Sequence, residues 1–130
     1  MTKQVIHTEH APKAIGPYSP AVVANGFVFT AGQVGIDPAT GKLVEGDIAA
    51  QTTQAIKNVR ALLETAGTTL ENAVKTTVFL HDMADFQAMN KVYELFFTEH
   101  PPARTTVGNL NLPLGAQVEV EVVAVLPDKR

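Results

Sequence analysis

Residues 101–126, PPARTTVGNLNLPLGAQVEVEVVAVL, set a rare arginine a short distance before a strand that is apolar on both faces. The chain has three arginines: Arg60 in a helical stretch, Arg130 at the last position, and Arg104. Arg104 follows Pro101-Pro102, which stiffens the backbone and disfavours helix just before it. Along 118–126 side chains alternate between faces, so Glu119 and Glu121 share a face with Val123 and Val125. A carboxylate in line with core valines is either solvated at the outer end of the strand or lines a wet pocket. Arginine suits a carboxylate ligand, because its planar fork meets both oxygens. The plainer alternative is a charge pair at the rim of a sheet, and this segment alone does not separate the two.

Working outward, residues 4–8 fit a short first strand. Residues 21–24 and 27–34 are β-rich runs around Asn25-Gly26, a strong hairpin signal. Asp37-Pro38-Ala39-Thr40-Gly41 is turn chemistry. A helix is predicted from Asp47, as N-cap, to Ala66, with Gly67 as its stop; Ile48, Ala55, Ile56, Val59, Leu62, Leu63 and Ala66 form its apolar stripe. Residues 73–81 read as a strand, 84–98 as a second helix ended by the proline pair, and 117–126 as the last strand after a short one following Arg104.

The order β-β-β-α-β-α-β-β predicts one α/β (α+β) domain over residues 1–130, a mixed β-sheet with two helices on one face. Strands at 27–29, 74–80 and 118–125 carry apolar residues on both sides, and two helices cover only one. The other side needs a partner, and self-association supplies one most simply. A homo-oligomer is therefore expected.

Composition narrows the function. A net charge of −3, a pI near 5.7 and scattered lysines give no electrostatic footprint for nucleic acid. No apolar run reaches the length of a membrane span, and the N-terminal residues lack a secretory core segment, so the cytoplasm is the default location. Without cysteine there is no thiolate nucleophile, disulfide or cysteine-based zinc site. His7 and His10 lie in what reads as a strand or loop, and no zinc spacing, phosphate loop or Ser-His-Asp order is present, so no metal or cofactor is expected.

Three polar features stand out. Asn90 interrupts the otherwise aromatic row Phe86, Tyr93, Phe97 of the second helix, and a buried amide costs free energy unless hydrogen-bonded. It either satisfies local backbone or faces a site. The rigid loop Gly16-Pro17-Tyr18-Ser19-Pro20 presents one of only two tyrosines, either to pack on the sheet or to reach a ligand. Thr30-Ala31-Gly32-Gln33 places a glycine where backbone or ligand can approach closely.

Together these segments resemble the RidA/YjgF family of reactive-intermediate deaminases. The resemblance runs through HAPKAIGPYSPAV (10–22), FTAGQVGIDPATGKLVEGDI (29–48), QAIKNVRALLETAG (54–67), VKTTVFLHDMADFQAMNKVYELFF (74–97) and PAR…LPLGAQVEVEVVAV (102–125). It implies a chorismate-mutase-like subunit in a homotrimer whose sheets form a central barrel, with sites in the clefts between subunits. The implied activity is cofactor-free hydrolysis of 2-imino acids, such as 2-iminobutanoate and 2-iminopropanoate from pyridoxal-phosphate enzymes, to 2-keto acids and ammonia. Arg104 matches the family's substrate-carboxylate arginine and Glu119 the glutamate that positions or activates water. Tyr18, Gly32 and Asn90 match further pocket positions. Two departures are Ala31, where many members have serine, and Thr106, where many have cysteine. The alternative is a non-catalytic protein that binds a small carboxylate or keto acid in the same cleft. RNA cleavage is disfavoured by the acidic pI.

Overall fold

The computed structural model describes residues 2–127. Its strands are β1 (Gln4–Ile6), β2 (Ala21–Ala24), β3 (Phe27–Thr30), β4 (Gln33–Val34), β5 (Ile36–Asp37), β6 (Lys42–Leu43), β7 (Ala73–Leu80), β8 (Ala103–Val107) and β9 (Val118–Val125). Helix α1 (Ile48–Ala66) lies between β6 and β7, and α2 (Phe86–Phe96) between β7 and β8. The main sheet runs β1-β2-β3-β9-β7-β8, with β4 also paired to β9. Among the described residues only β7 and β8 pair in parallel, as expected for strands joined through a helix; the other pairings are antiparallel.

Local chemistry accounts for most boundaries. Asn25 and Gly26 both take positive φ, 52° and 81°, as a tight hairpin between β2 and β3 requires. The Asp47 carboxylate accepts from the Ala50 amide at 3.1 Å, and Gly67 closes α1 at φ 101°. Helix α2 starts at Phe86 rather than Ala84, because 83–85 form a 3₁₀ turn capped by Asp82, and it ends at Phe96.

Both helices pack on one face. Ile56, Val59, Leu62 and Leu63 of α1 and Met89 of α2 bury against Val78, Val118, Val120 and Val122. The core valines of β9 are thus the even-numbered ones. Val123 and Val125 share the opposite face with Glu119 and Glu121, which corrects the expectation that the glutamates stand among core valines. Alternation alone cannot tell which apolar face of such a strand receives the helices. On the glutamate side Phe27, Phe29 and Val107 remain exposed in the single chain. Among the described residues no helix is long and apolar enough to cross a membrane.

The expected single strand over 27–34 is broken. Phe29 pairs with Val123, whereas Gln33 pairs with Val120, so four steps along one strand match three along β9. The extra residue is a β-bulge at Ala31-Gly32. Thr30 Oγ1 takes the Val122 amide at 3.0 Å where the regular ladder lapses, and the Ala31 amide donates to the Pro20 carbonyl at 2.8 Å.

Candidate active site

The bulge shapes a cavity of about 320 Å³ at the end of β9, walled by Ile15, Tyr18, Ala31, Gly32, Leu114 and Glu119 among others. Its lining is mainly apolar, and Glu119 is its acidic side chain. A Cβ added at Gly32 would lie 2.7 Å from Glu119 Cδ and 2.8 Å from Oε2. Glycine at this position is therefore what admits the carboxylate. Burial raises the Glu119 pKa above the ordinary carboxylate value, and the neighbouring Glu121 charge adds to the rise. Tyr18 stands at the mouth, half-exposed, with its hydroxyl accepting from the Ile15 amide at 3.2 Å. Leu114 holds a left-handed backbone, φ 60°, a strained conformation for a bulky residue.

Arg104 belongs to a second cluster. In register it stands beside Thr76, which in turn pairs with Val122, so its side chain is on the helix face. The Arg104 Nη1 donates to Asn90 Oδ1 at 2.7 Å. Its guanidinium carbon sits 4.7 Å from the Tyr93 ring centroid and 5.5 Å from that of Phe86. Asn90 thus faces the arginine rather than local backbone. Thr106, two residues along β8, shares the Arg104 face.

The structure accordingly brings Tyr18, Ala31, Gly32 and Glu119 together, and separately Arg104, Asn90 and Thr106. Arg104 and Glu119 lie on opposite faces of one sheet, so within a single chain they do not converge on one ligand. Sequence reading missed the polar side of α1 as a contributor. Asn58 Nδ2 donates to the carbonyls of Val34 at 3.1 Å and Ile36 at 2.8 Å, and Gln51 Oε1 accepts from the Gln117 amide at 2.9 Å. These bonds hold the segment after the bulge and the start of β9. The available signal was the presence of Gln51 and Asn58, seven residues apart, along the edge of an apolar stripe. Among the described residues no three histidine or carboxylate side chains gather as metal ligands.

The profile of the family described as Endoribonuclease L-PSP matches residues 8–126. This chain belongs to that family, which is the RidA/YjgF family. It is similar to a RutC family protein of Pyrococcus horikoshii, 51% identical over 122 residues that cover 94% of this chain and 97% of the relative. It is also similar to the human 2-iminobutanoate/2-iminopropanoate deaminase, 42% identical over 96% of this chain and 91% of that protein. Among solved structures, Escherichia coli TdcF with bound serine superposes with a TM-score of 0.90 at 38% identity, covering 95% of this chain and 99% of that one. RidA family membership thus accounts for the order of the elements and for the motifs at 10–22, 29–48 and 102–125.

Proposed function

We propose that this RidA family protein hydrolyses small 2-imino acids to 2-keto acids and ammonia, in sites completed between subunits of a homotrimer. The observation that carries this reading is Glu119: a carboxylate with a raised pKa on the wall of a largely apolar cavity, admitted by Gly32. A raised pKa makes this carboxylate a stronger proton acceptor than an ordinary one, and the proton it takes can be returned to the substrate. The human relative is named as a deaminase of 2-imino acids, and the TdcF structure holds a bound serine.

Arg104 anchors the substrate carboxylate. With Nη1 tied to Asn90, the remaining arms of the fork meet the ligand. Because Arg104 and Glu119 of one chain stand on opposite sheet faces, the arginine of one subunit and the glutamate of its neighbour serve one site. The three open sheet faces form the central barrel that buries Phe27 and Phe29.

Chemistry follows from electrophilicity. The protonated imine carbon accepts water directly, so no covalent nucleophile is required. As the water oxygen bonds to C2, the C=N electron pair moves to nitrogen and Glu119 takes the water proton. Protonated Glu119 then returns that proton to the amino group of the carbinolamine. The C–N bond breaks with release of ammonia, and loss of the hydroxyl proton leaves the keto acid. Imines hydrolyse unaided, so the site has only to position water and substrate and to handle two protons.

The test couples the protein to threonine dehydratase and follows keto-acid formation, with semicarbazide as a competing imine trap. Arg104→Ala is expected to lower kcat/KM about tenfold to a hundredfold for each charge-assisted bond lost. Arg104→Lys is expected to recover only part, since a point charge does not replace the fork. Binding of a keto acid without any acceleration of imine hydrolysis by the wild-type protein would establish the non-catalytic alternative instead.

A further inference from the structure

We infer that Tyr93 is a positioning residue that sets the Arg104 guanidinium, with Thr76 as the latch that fixes the tyrosine ring. The inference rests on the reading of Arg104 as the carboxylate anchor and goes beyond it to ask what holds the anchor. Arginine carries several rotatable bonds, and an edge-strand arginine spends its time among many rotamers unless something selects one. Here three contacts from α2 do so. Asn90 Oδ1 takes Nη1 at 2.7 Å, and the rings of Tyr93 and Phe86 lie 4.7 Å and 5.5 Å from the guanidinium carbon. The rings lie within cation–π range, and Tyr93 is the closer.

Tyr93 is itself tied on two sides. Its hydroxyl meets Thr76 Oγ1 at 2.7 Å in a buried bond, and its ring stacks on Phe97 with centroids 4.4 Å apart and planes 27° apart. Thr76 is fully buried and is the direct cross-strand neighbour of Arg104 in the β7–β8 ladder. The tyrosine thus bridges from α2 to the strand beside the arginine, and its ring height above the sheet is fixed by that strand. Burial also holds the Tyr93 hydroxyl protonated by raising its pKa, against smaller opposing effects of Thr76 and Arg104. The ring is therefore placed as a platform for the guanidinium.

A platform of this kind acts on ligand binding through arginine placement, which separates it from a merely structural tyrosine. Tyr93→Leu and Tyr93→Phe are assayed for imine hydrolysis, for binding of 2-oxobutanoate by calorimetry, and for melting temperature. Tyr93→Leu is expected to raise KM and the 2-oxobutanoate Kd about tenfold, with kcat within about twofold, because a desolvated cation–π contact is lost. Tyr93→Phe keeps the ring but loses the latch, and is expected to raise KM about threefold, less than Tyr93→Leu does, while lowering the melting temperature by leaving Thr76 unpartnered. A Tyr93→Leu variant that melts early yet binds 2-oxobutanoate as tightly as wild type overturns the inference. If that variant does not fold, Thr76→Val, which keeps the shape but frees the tyrosine ring from its strand, decides in its place: a raised Kd supports the latched platform, and an unchanged Kd overturns it. Arg104→Ala is the control that tells the two readings apart. If it leaves the 2-oxobutanoate Kd unchanged, the anchor itself is wrong.

Discussion

Two glycines that look alike in sequence, Gly32 and Gly35, differ in what a methyl group would meet. At Gly32 the added Cβ runs into the end of the Glu119 side chain, which can swing away. At Gly35 it runs into the Gln51 carbonyl oxygen at 2.8 Å and Cα at 3.0 Å, backbone that a helix holds in place. Gly32→Ala is therefore expected to fold with nearly unchanged melting temperature while displacing the carboxylate and losing most imine turnover. Gly35→Ala is expected to destabilise by about 1–3 kcal/mol, as overpacking against a rigid neighbour does. Thermal melts alongside the coupled assay separate the two; a Gly32→Ala protein with full activity would dissociate Glu119 from the chemistry. Glu119 itself carries a pH signature. Its folded pKa is raised, so the folded state binds its proton more tightly than the unfolded chain does, and stability falls as pH rises from the ordinary carboxylate value through the raised one. Glu119→Gln, which removes that charge, is expected to melt higher than wild type at neutral pH, with the difference vanishing in acid below the ordinary carboxylate range. The same substitution is expected to abolish the acid limb of kcat/KM, which in wild type reports the raised pKa of Glu119. A wild-type rate for Glu119→Gln would reduce the residue to a rim charge.

At the scale of elements, short-range chemistry was legible and long-range pairing was not. Asn25-Gly26, Asp47 and Gly67 each act through bonds to residues a few positions away, so their turn and caps could be read directly. The bulge at Ala31-Gly32 could not, because residues 27–34 keep a β-rich pattern throughout and the mismatch exists only against β9. The row Phe86, Asn90, Tyr93, Phe97 was visible as a helical stripe, yet its partner depended on a parallel pairing of β7 with β8 that no local pattern encodes. The tie between α1 and the cavity wall has the same character. Asn58 reaches across 24 and 22 residues to the Val34 and Ile36 carbonyls, and Gln54 Nε2 donates to its Oδ1 at 2.9 Å. Asn58→Ala leaves those buried carbonyls without their donor and is expected to cost about 1–3 kcal/mol. Because the freed segment follows Gly32, KM for imine is expected to rise as well. Urea unfolding with a parallel KM determination checks both, and an unchanged KM would show that the wall holds its shape without this bond.

For the whole molecule, the decisive feature is the division of the candidate residues between two sheet faces. Alternation along β9 correctly grouped Glu119 with Glu121, Val123 and Val125, but two apolar faces carry no sign of which one the helices take. Only the fold shows that Arg104 is on the helix side and Glu119 on the other. Exposed Phe27, Phe29 and Val107 mark the glutamate side as a surface suited to a second copy, which is why the proposed unit is an oligomer and not a monomer. Light scattering at micromolar concentration is expected to give a trimer mass, but mass alone does not place the site. Mixing two impaired variants does. Arg104→Ala subunits keep Glu119, and Glu119→Gln subunits keep Arg104. Refolded together in equal amounts, about three quarters of cyclic trimers contain both kinds, and each such ring has one interface that joins an intact arginine to an intact glutamate. Roughly a quarter of all sites are then whole, so the mixture is expected to recover about a quarter of the wild-type rate, well above what either variant shows alone. A site contained within one chain cannot be rebuilt this way. Assembled mixed trimers that show no recovery would therefore sink the shared site, whatever their mass.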